Sequence, residues 1–252
     1  MPNQPITVET LKRELPKFVV AFDKMRRDLK PPFTWYPYGS LSNVQHLDAL
    51  LQGKWRNLSA LIGDKPLADI GGADGDFGFM FEKLGVKKVQ LIDHAETHQN
   101  ALRGPKLLKK TLRSRVKIYD IDLDTQFTLP TERYGLVIFL GILYHLKNPF
   151  YALEHLARHA DYCLLSTKVC RFLPKHAFNI ADQSLGYLVG EHELNNDPTN
   201  FFVFTPEGLK TLCRRSGWEV VSFITRGDTV RSTPESMEHD ERAFCLLKSR
   251  VS

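Results

Sequence analysis

Apolar residues recur at helical spacing from the start of the chain. Leu11, Leu15, Phe18, Val19, Phe22, Met25 and Leu29 predict one helix over Val8–Leu29. Pro16 falls inside it, lacks an N–H, and is expected to break or restart it. The run LKPPFTWYPYGSLSN then predicts a loop rich in proline and aromatic residues. A second helix is expected over Val44–Ile62, with Leu47, Leu50, Leu51, Trp55 and Leu58 on one face.

Beyond it the pattern changes. Short apolar runs predict strands at Pro66–Ile70, Lys88–Ile92, Val116–Ile121, Tyr134–Leu140 and Asp161–Thr167. Helical spacing lies between them at Asp76–Leu84, Glu96–Lys110 and Pro149–Ala160. This alternation predicts an α/β fold with a doubly wound parallel sheet, right-handed crossovers, and ligands at the carboxyl ends of the strands. After Thr167 the rhythm stops over about 169–204, which is expected to be a lid or binding loop. A helix resumes at Pro206–Ser216, with Thr205 as its cap, Pro206 at its first position and Gly217 past its end. Strands at Glu219–Thr225 and Ala243–Lys248 close the pattern, joined by a polar hairpin loop, Arg226–Arg242, expected to be mobile.

Composition adds bounds rather than chemistry. The chain has 252 residues, 42% of them hydrophobic, enough to fill one α/β domain with additions or two small domains. No apolar run reaches the ~18–20 residues that span a bilayer, so no membrane partner is expected. MPNQPITVET lacks the basic and apolar regions of a signal peptide. Cys163, Cys170, Cys213 and Cys245 form no C-x-x-C pair, and Cys163 and Cys213 sit in apolar patterns that predict buried thiols. A reduced, cytoplasmic protein is expected. Net charge is +5, with basic runs at Lys24–Lys30 and Lys106–Lys117. These suit solvated helix faces or an anionic partner such as RNA, and charge alone does not choose.

The chemistry concentrates in LADIGGADGDFGFMFEKLG, Leu67 to Gly85. An apolar run ends in Asp69, a turn containing Gly71, Gly72, Gly75 and Gly78 follows, and a helix begins. Strand, glycine turn and helix let a backbone approach a nucleotide-like ligand closely. A carboxylate at the strand's end, ahead of the glycines, favours a ligand bearing a cation over a pyrophosphate.

With three further segments, LIDHA ending its strand in Asp93, VKIYDIDL, and YGLVIFLGILYHLKNP at Tyr134–Pro149, this turn resembles the class I S-adenosylmethionine-dependent methyltransferases. The resemblance runs from about Leu67 to the C-terminus. It implies a Rossmann-like seven-stranded sheet, mostly parallel with an antiparallel last strand. Residues 63–252 would form the cofactor-binding domain, and residues 1–62 an N-terminal helical extension and lid. S-adenosylmethionine is the implied cofactor. Asp69 is then expected near the methionyl ammonium, with Gly71, Gly72 and Gly75 giving backbone approach. Asp93 would take both ribose hydroxyls, as a carboxylate can bidentately. Asp122 would reach the adenine amine beside the Leu123 backbone, and Leu140 and Gly141 would lie against the methionine portion. The family's middle glycine is Ala73 here, which fits only if its φ is negative. GADGDFG also reads as G-x-x-G-x-x-G, so a nicotinamide fold is the competing reading of the turn. The acids and the two-strand ending favour methyl transfer.

ILYHLKNP also resembles a segment of the tRNA wobble-uridine carboxymethyltransferases, and Lys30-Pro31-Pro32-Phe33 resembles their lysine-bearing loop. That resemblance would make Lys30 and Tyr144 ligands of an added cofactor carboxylate. Tyr144 and His145 follow the fourth strand, where His145 is a candidate general base or a helix-packing residue. Trp35, Tyr36 and Tyr38 are candidates to cover the sulfonium or to plug the domain's edge. Lys175 and His176 suit either an anionic substrate or plain surface. EHELNND has no metal-ligand spacing, and no metal is expected. The functional expectation is methyl transfer to a nucleophilic atom of a small molecule. The alternatives are a tRNA wobble-uridine (carboxy)methyltransferase and a non-catalytic cofactor-fold binding module.

Overall fold

The computed structural model describes residues 5–174 and 178–251, so Lys175 and His176 lie outside the described residues. Two compact units divide the chain: Met1–Asp122 with Pro130–Ile138, and Leu123–Leu129 with Phe139–Ser252.

The first unit opens with helix α1 (Val8–Leu29), capped by the Thr7 hydroxyl, which accepts from the Thr10 N–H at 3.2 Å. Contrary to expectation, Pro16 neither breaks nor restarts it. An interior proline costs about 3 kcal/mol. Beyond it Phe18 and Phe22 are buried and stacked at 4.9 Å, and burying each contributes about 1.5–3 kcal/mol, which offsets that cost. The second expected helix is split into α2 (Val44–Leu50), a 3-10 turn (Gly53–Arg56) and α3 (Leu58–Ile62). Arg56 explains the break. Its guanidinium takes the carbonyls of Asp48 and Leu51 at 3.1 and 3.0 Å, and Asn57 then caps α3.

Strands β1 (Leu67–Ile70), β2 (Val89–Asp93), β3 (Lys117–Asp120) and β4 (Tyr134–Leu140) follow. In this unit they pair in parallel in the order β3-β2-β1-β4, with Leu67 opposite both Val89 and Leu136. Every residue of β1 is buried, as a strand with neighbours on both sides requires. Gly135 permits the contact with the end of α3, because a Cβ there would lie 1.8 Å from the Ile62 carbonyl oxygen. Helix α4 (Asp76–Lys83) links β1 to β2. Helix α5 starts at Arg103 and ends at Leu112, not over the expected Glu96–Lys110. The side chains of His98 and Asn100 capture the N–H groups of Leu102 and Gly104, and Ala101 and Leu102 take positive φ. Together they hold the approach in turns rather than helix.

The second unit carries a 3-10 turn (Leu143–His145), α6 (Pro149–His159), β5 (Ala160–Val169), β6 (Gly186–Leu188), β7 (Phe202–Phe204), α7 (Pro206–Arg215), β8 (Trp218–Gly227) and β9 (Glu241–Ser249). Strand β5 pairs antiparallel with β9 along its length and parallel with β7 at Val169 and Phe204. Strands β8 and β9 pair antiparallel, as do β6 and β7. The stretch 169–204 therefore holds two short strands, which raises the seven expected strands to nine among the described residues. The polar connection from β8 to β9 is tied down: the buried Glu241 accepts from Ser232 at 2.6 Å and from Arg171 at 2.8 Å. All four cysteines are buried and free, including Cys163 and Cys213 as expected. Among the described residues no helix is long and apolar enough to cross a membrane.

Candidate functional site

In the first unit the site is built where β1 and β2 end. Asp69 is the third residue of β1, 2% exposed, and its Oδ2 accepts the Gly78 N–H at 2.9 Å. Burial pushes its carboxyl up to about 7, and the neighbouring Asp76 and Asp93 act in the same direction. Gly72 is glycine because of this acid, since a Cβ there would meet the carboxylate at 2.6 Å. Gly75 takes φ 89° as it starts α4, the left-handed conformation that glycine adopts without strain. Gly78 serves packing, because a Cβ would lie 2.4 Å from Leu91 of β2.

Ala73 corrects the sequence reading. Its φ is +53°, not negative. An alanine in this region is strained. The strain is held by its carbonyl, which is hydrogen-bonded to His98 Nε2 at 2.9 Å.

Asp93 closes β2 with one carboxylate oxygen accepting the His94 N–H at 2.9 Å. The other lies 3.9 Å from His98, and the side chain is 20% exposed. Burial raises this carboxyl to about 6, against the pull of His98. Asp120 of β3 stands opposite Asp93 in the register, and Asp122 follows, half-buried. A small cavity bounded by Gly72, Ala73, Asp93, Leu102 and Pro105 lies within this unit.

Sequence reasoning missed what holds the turn. Asp74, fully buried, accepts the Tyr36 N–H at 2.8 Å and the Asn100 amide at 2.9 Å. Arg26 of α1 hydrogen-bonds to Asp76 and lies 3.4 Å from Asp74. Its guanidinium sits over the rings of Phe22 and Trp35, and its carbonyl accepts the Trp35 indole N–H at 3.1 Å. The only signal was the unusual acid density of GADGD. Tyr36 packs edge-on against His98 at 4.9 Å, whereas Tyr38 is 75% exposed. Lys30 ends α1 in a left-handed, exposed position. Among the described residues neither Lys30 nor Tyr38 hydrogen-bonds to the turn.

The second unit holds the other expected site residues. Leu123 is buried and Leu140 half-buried. Gly141 takes φ 78° and donates its N–H to the Ser166 carbonyl at 2.9 Å. Tyr144 and His145 form the 3-10 turn after β4, with ring centres 4.2 Å apart. The Tyr144 carbonyl accepts the Phe201 N–H at 2.8 Å, which fixes the turn beside β7. Arg242 of β9 places its guanidinium 5.6 Å from the Tyr144 ring centre while bonding Asp240 at 3.1 Å. His145 is held below the usual histidine range mainly by burial, and Arg242 adds to the effect. Glu193 of the EHELNND run accepts from Tyr187 and from the Gly190 N–H.

No protein-family model matches the sequence, and no curated protein is significantly similar to it. Solved structures do match. The N-terminal domain of EvdMO1 with S-adenosylhomocysteine bound is similar at TM-score 0.59 and 13% identity, covering 91% of this chain and 96% of that domain. A Bacillus halodurans C-125 protein proposed to be a methyltransferase matches at TM-score 0.55 and 16% identity, over 77% of this chain and 96% of its own. The cyclase SpnF matches at TM-score 0.54 and 13% identity, over 87% and 88%. The chain therefore has the Rossmann-like α/β fold found in these proteins, with parallel strands and an antiparallel edge.

Proposed function

We propose that the chain is an S-adenosylmethionine-dependent methyltransferase acting on a small-molecule acceptor. One observation carries this reading: two carboxylates, the buried Asp69 and the half-buried Asp93, stand toward the carboxyl ends of adjacent parallel strands, with a glycine turn following the first. Asp69 suits the methionyl ammonium, since a cation beside a buried carboxyl favours its charged form. Asp93 keeps one oxygen without a hydrogen bond among the described residues, as ribose recognition requires. Asp122 and Leu123 are assigned to the adenine, Leu140 and Gly141 to the methionine portion. The bound S-adenosylhomocysteine of EvdMO1 supports the same cofactor. The sulfonium is an activated leaving group, so the protein's work is positioning and exclusion of water. SpnF, a cyclase, shares the fold, so the assignment rests on the acids and not on the fold.

Calorimetric titration with S-adenosylmethionine and S-adenosylhomocysteine tests the reading. Saturable binding of both is expected; a folded protein that binds neither overturns it.

A carboxylated donor is the second reading, favoured by the Arg242 guanidinium beside Tyr144, which suits an added carboxylate. Mass spectrometry of the co-purifying ligand separates the two donors. Salt-dependent tRNA binding would move the acceptor from small molecule to tRNA.

A further inference from the structure

His145 is held from outside its own turn. Its Nδ1 lies 2.9 Å from the Thr199 carbonyl oxygen and 3.1 Å from the Thr199 hydroxyl oxygen. A carbonyl only accepts, so Nδ1 carries the hydrogen. The Thr199 hydroxyl in turn donates to Asp197 Oδ1 at 2.6 Å, and the Thr199 N–H donates to the same oxygen at 2.9 Å. Asn200 grips the Asp197 carbonyl at 3.2 Å, which closes the turn. A neutral imidazole with its hydrogen on Nδ1 has its lone pair on Nε2. That atom makes no hydrogen bond among the described residues. The charged and titratable groups facing the ring are Asp197 from the 189–201 connection, Arg242 from β9, and Tyr144 on its own turn.

We propose that Asp197 and Thr199 are positioning residues that fix His145 in its Nδ1–H tautomer, so that Nε2 accepts the proton of an acceptor hydroxyl. This deepens, and rests on, the methyl-transfer reading. The step balances. The acceptor oxygen forms its bond to the methyl carbon, and the carbon–sulfur pair returns to sulfur as a neutral thioether. The hydroxyl proton moves to Nε2 and is later lost to water. The acceptor class that needs this device is an alcohol or phenol, whose oxygen is protonated at neutral pH. Asp197 acts through Thr199, stabilising the imidazolium that forms.

Nitrogen-15 NMR of the histidines in the full chain tests this directly. At pH 8 the wild-type His145 is expected to show a protonated Nδ1 and a bare Nε2. Asp197→Asn retains the turn's acceptor but removes the charge, so the midpoint of the His145 titration is expected to fall by about 1 pH unit. Asp197→Ala releases the Thr199 turn and is expected to give mixed tautomers. S-adenosylmethionine affinity is expected to stay unchanged in both variants. A wild-type His145 protonated on Nε2, or a titration midpoint indifferent to Asp197→Asn, overturns the proposal. Absence of S-adenosylmethionine binding with the expected tautomer intact would instead remove the methyl-transfer reading.

Discussion

Asp69 sits beneath the turn, where burial lifts its carboxyl to about 7 against the pull of one backbone donor, the Gly78 N–H. The raised value has a definite sign. The folded protein holds the proton more tightly than the unfolded chain, so this acid's contribution to stability is greatest below about pH 4. It is lost as the pH climbs toward 7. An ammonium ligand reverses the preference, since it needs the carboxylate. S-adenosylmethionine binding should therefore release a proton near pH 6 and weaken by up to about tenfold per pH unit below 7. Calorimetry in two buffers of different ionisation enthalpy measures that proton, and Asp69→Asn should abolish it. A pH-independent affinity in the wild type would show that Asp69 does not meet the ammonium. Asp93→Ala should cost at least about tenfold in affinity, the worth of charge-assisted hydrogen bonds to ribose. Both acids were legible because each ends a short apolar run. Asp74 was not, because its partners Tyr36 and Asn100 lie far along the chain in opposite directions.

At the scale of elements, the glycine turn is shaped by its neighbours as much as by a ligand. Ala73 is left-handed at φ +53°, a conformation that costs an alanine about 1–2 kcal/mol. Ala73→Gly removes that cost but adds roughly 0.5–1 kcal/mol of unfolded-state entropy. The variant should gain a few tenths to about 1 kcal/mol in urea unfolding, with the His98 bond to the carbonyl preserved. Destabilisation would mean that the alanine methyl makes a packing contact outweighing its strain. Helix α1 supplies the opposite case. Arg26→Ala leaves Asp74 and Asp76 buried without their cation, and breaking such a pair costs about 3–5 kcal/mol. The loss should deepen from pH 4 to pH 7, because burial already raises the Asp76 carboxyl and it must then ionise without the guanidinium that opposes this. A loss constant with pH would assign Arg26 a packing role only. Pattern placed α1 correctly because its apolar stripe dominates the signal. It misjudged Pro16, because local propensity was outweighed by Phe18 and Phe22 in the folded protein.

For the whole molecule the proposed roles divide by unit. Asp69 and Asp93 belong to the first, Tyr144 and His145 to the second. Strands β6 and β7 of the second unit escaped the sequence because each has three residues, too few for a period-2 pattern to register. The connection between them carries Asp197 and Thr199, so the invisible part of the fold is the part that orients His145. This division predicts how variants separate. A ligand at one hundred times its dissociation constant stabilises the folded state by about 2.7 kcal/mol. For a chain of this size that raises the melting temperature by about 5–10 °C. S-adenosylhomocysteine should produce this shift in the wild type and in His145→Ala alike, because the histidine is assigned to the acceptor's proton and not to the nucleoside. Asp93→Ala should lose at least about half of the shift at the same concentration, since a tenfold weaker ligand contributes about 1.4 kcal/mol less. Differential scanning fluorimetry on the three proteins reads the result. Loss of the shift in His145→Ala with an unaltered starting melting temperature would move His145 into the donor site and leave the acceptor without its base.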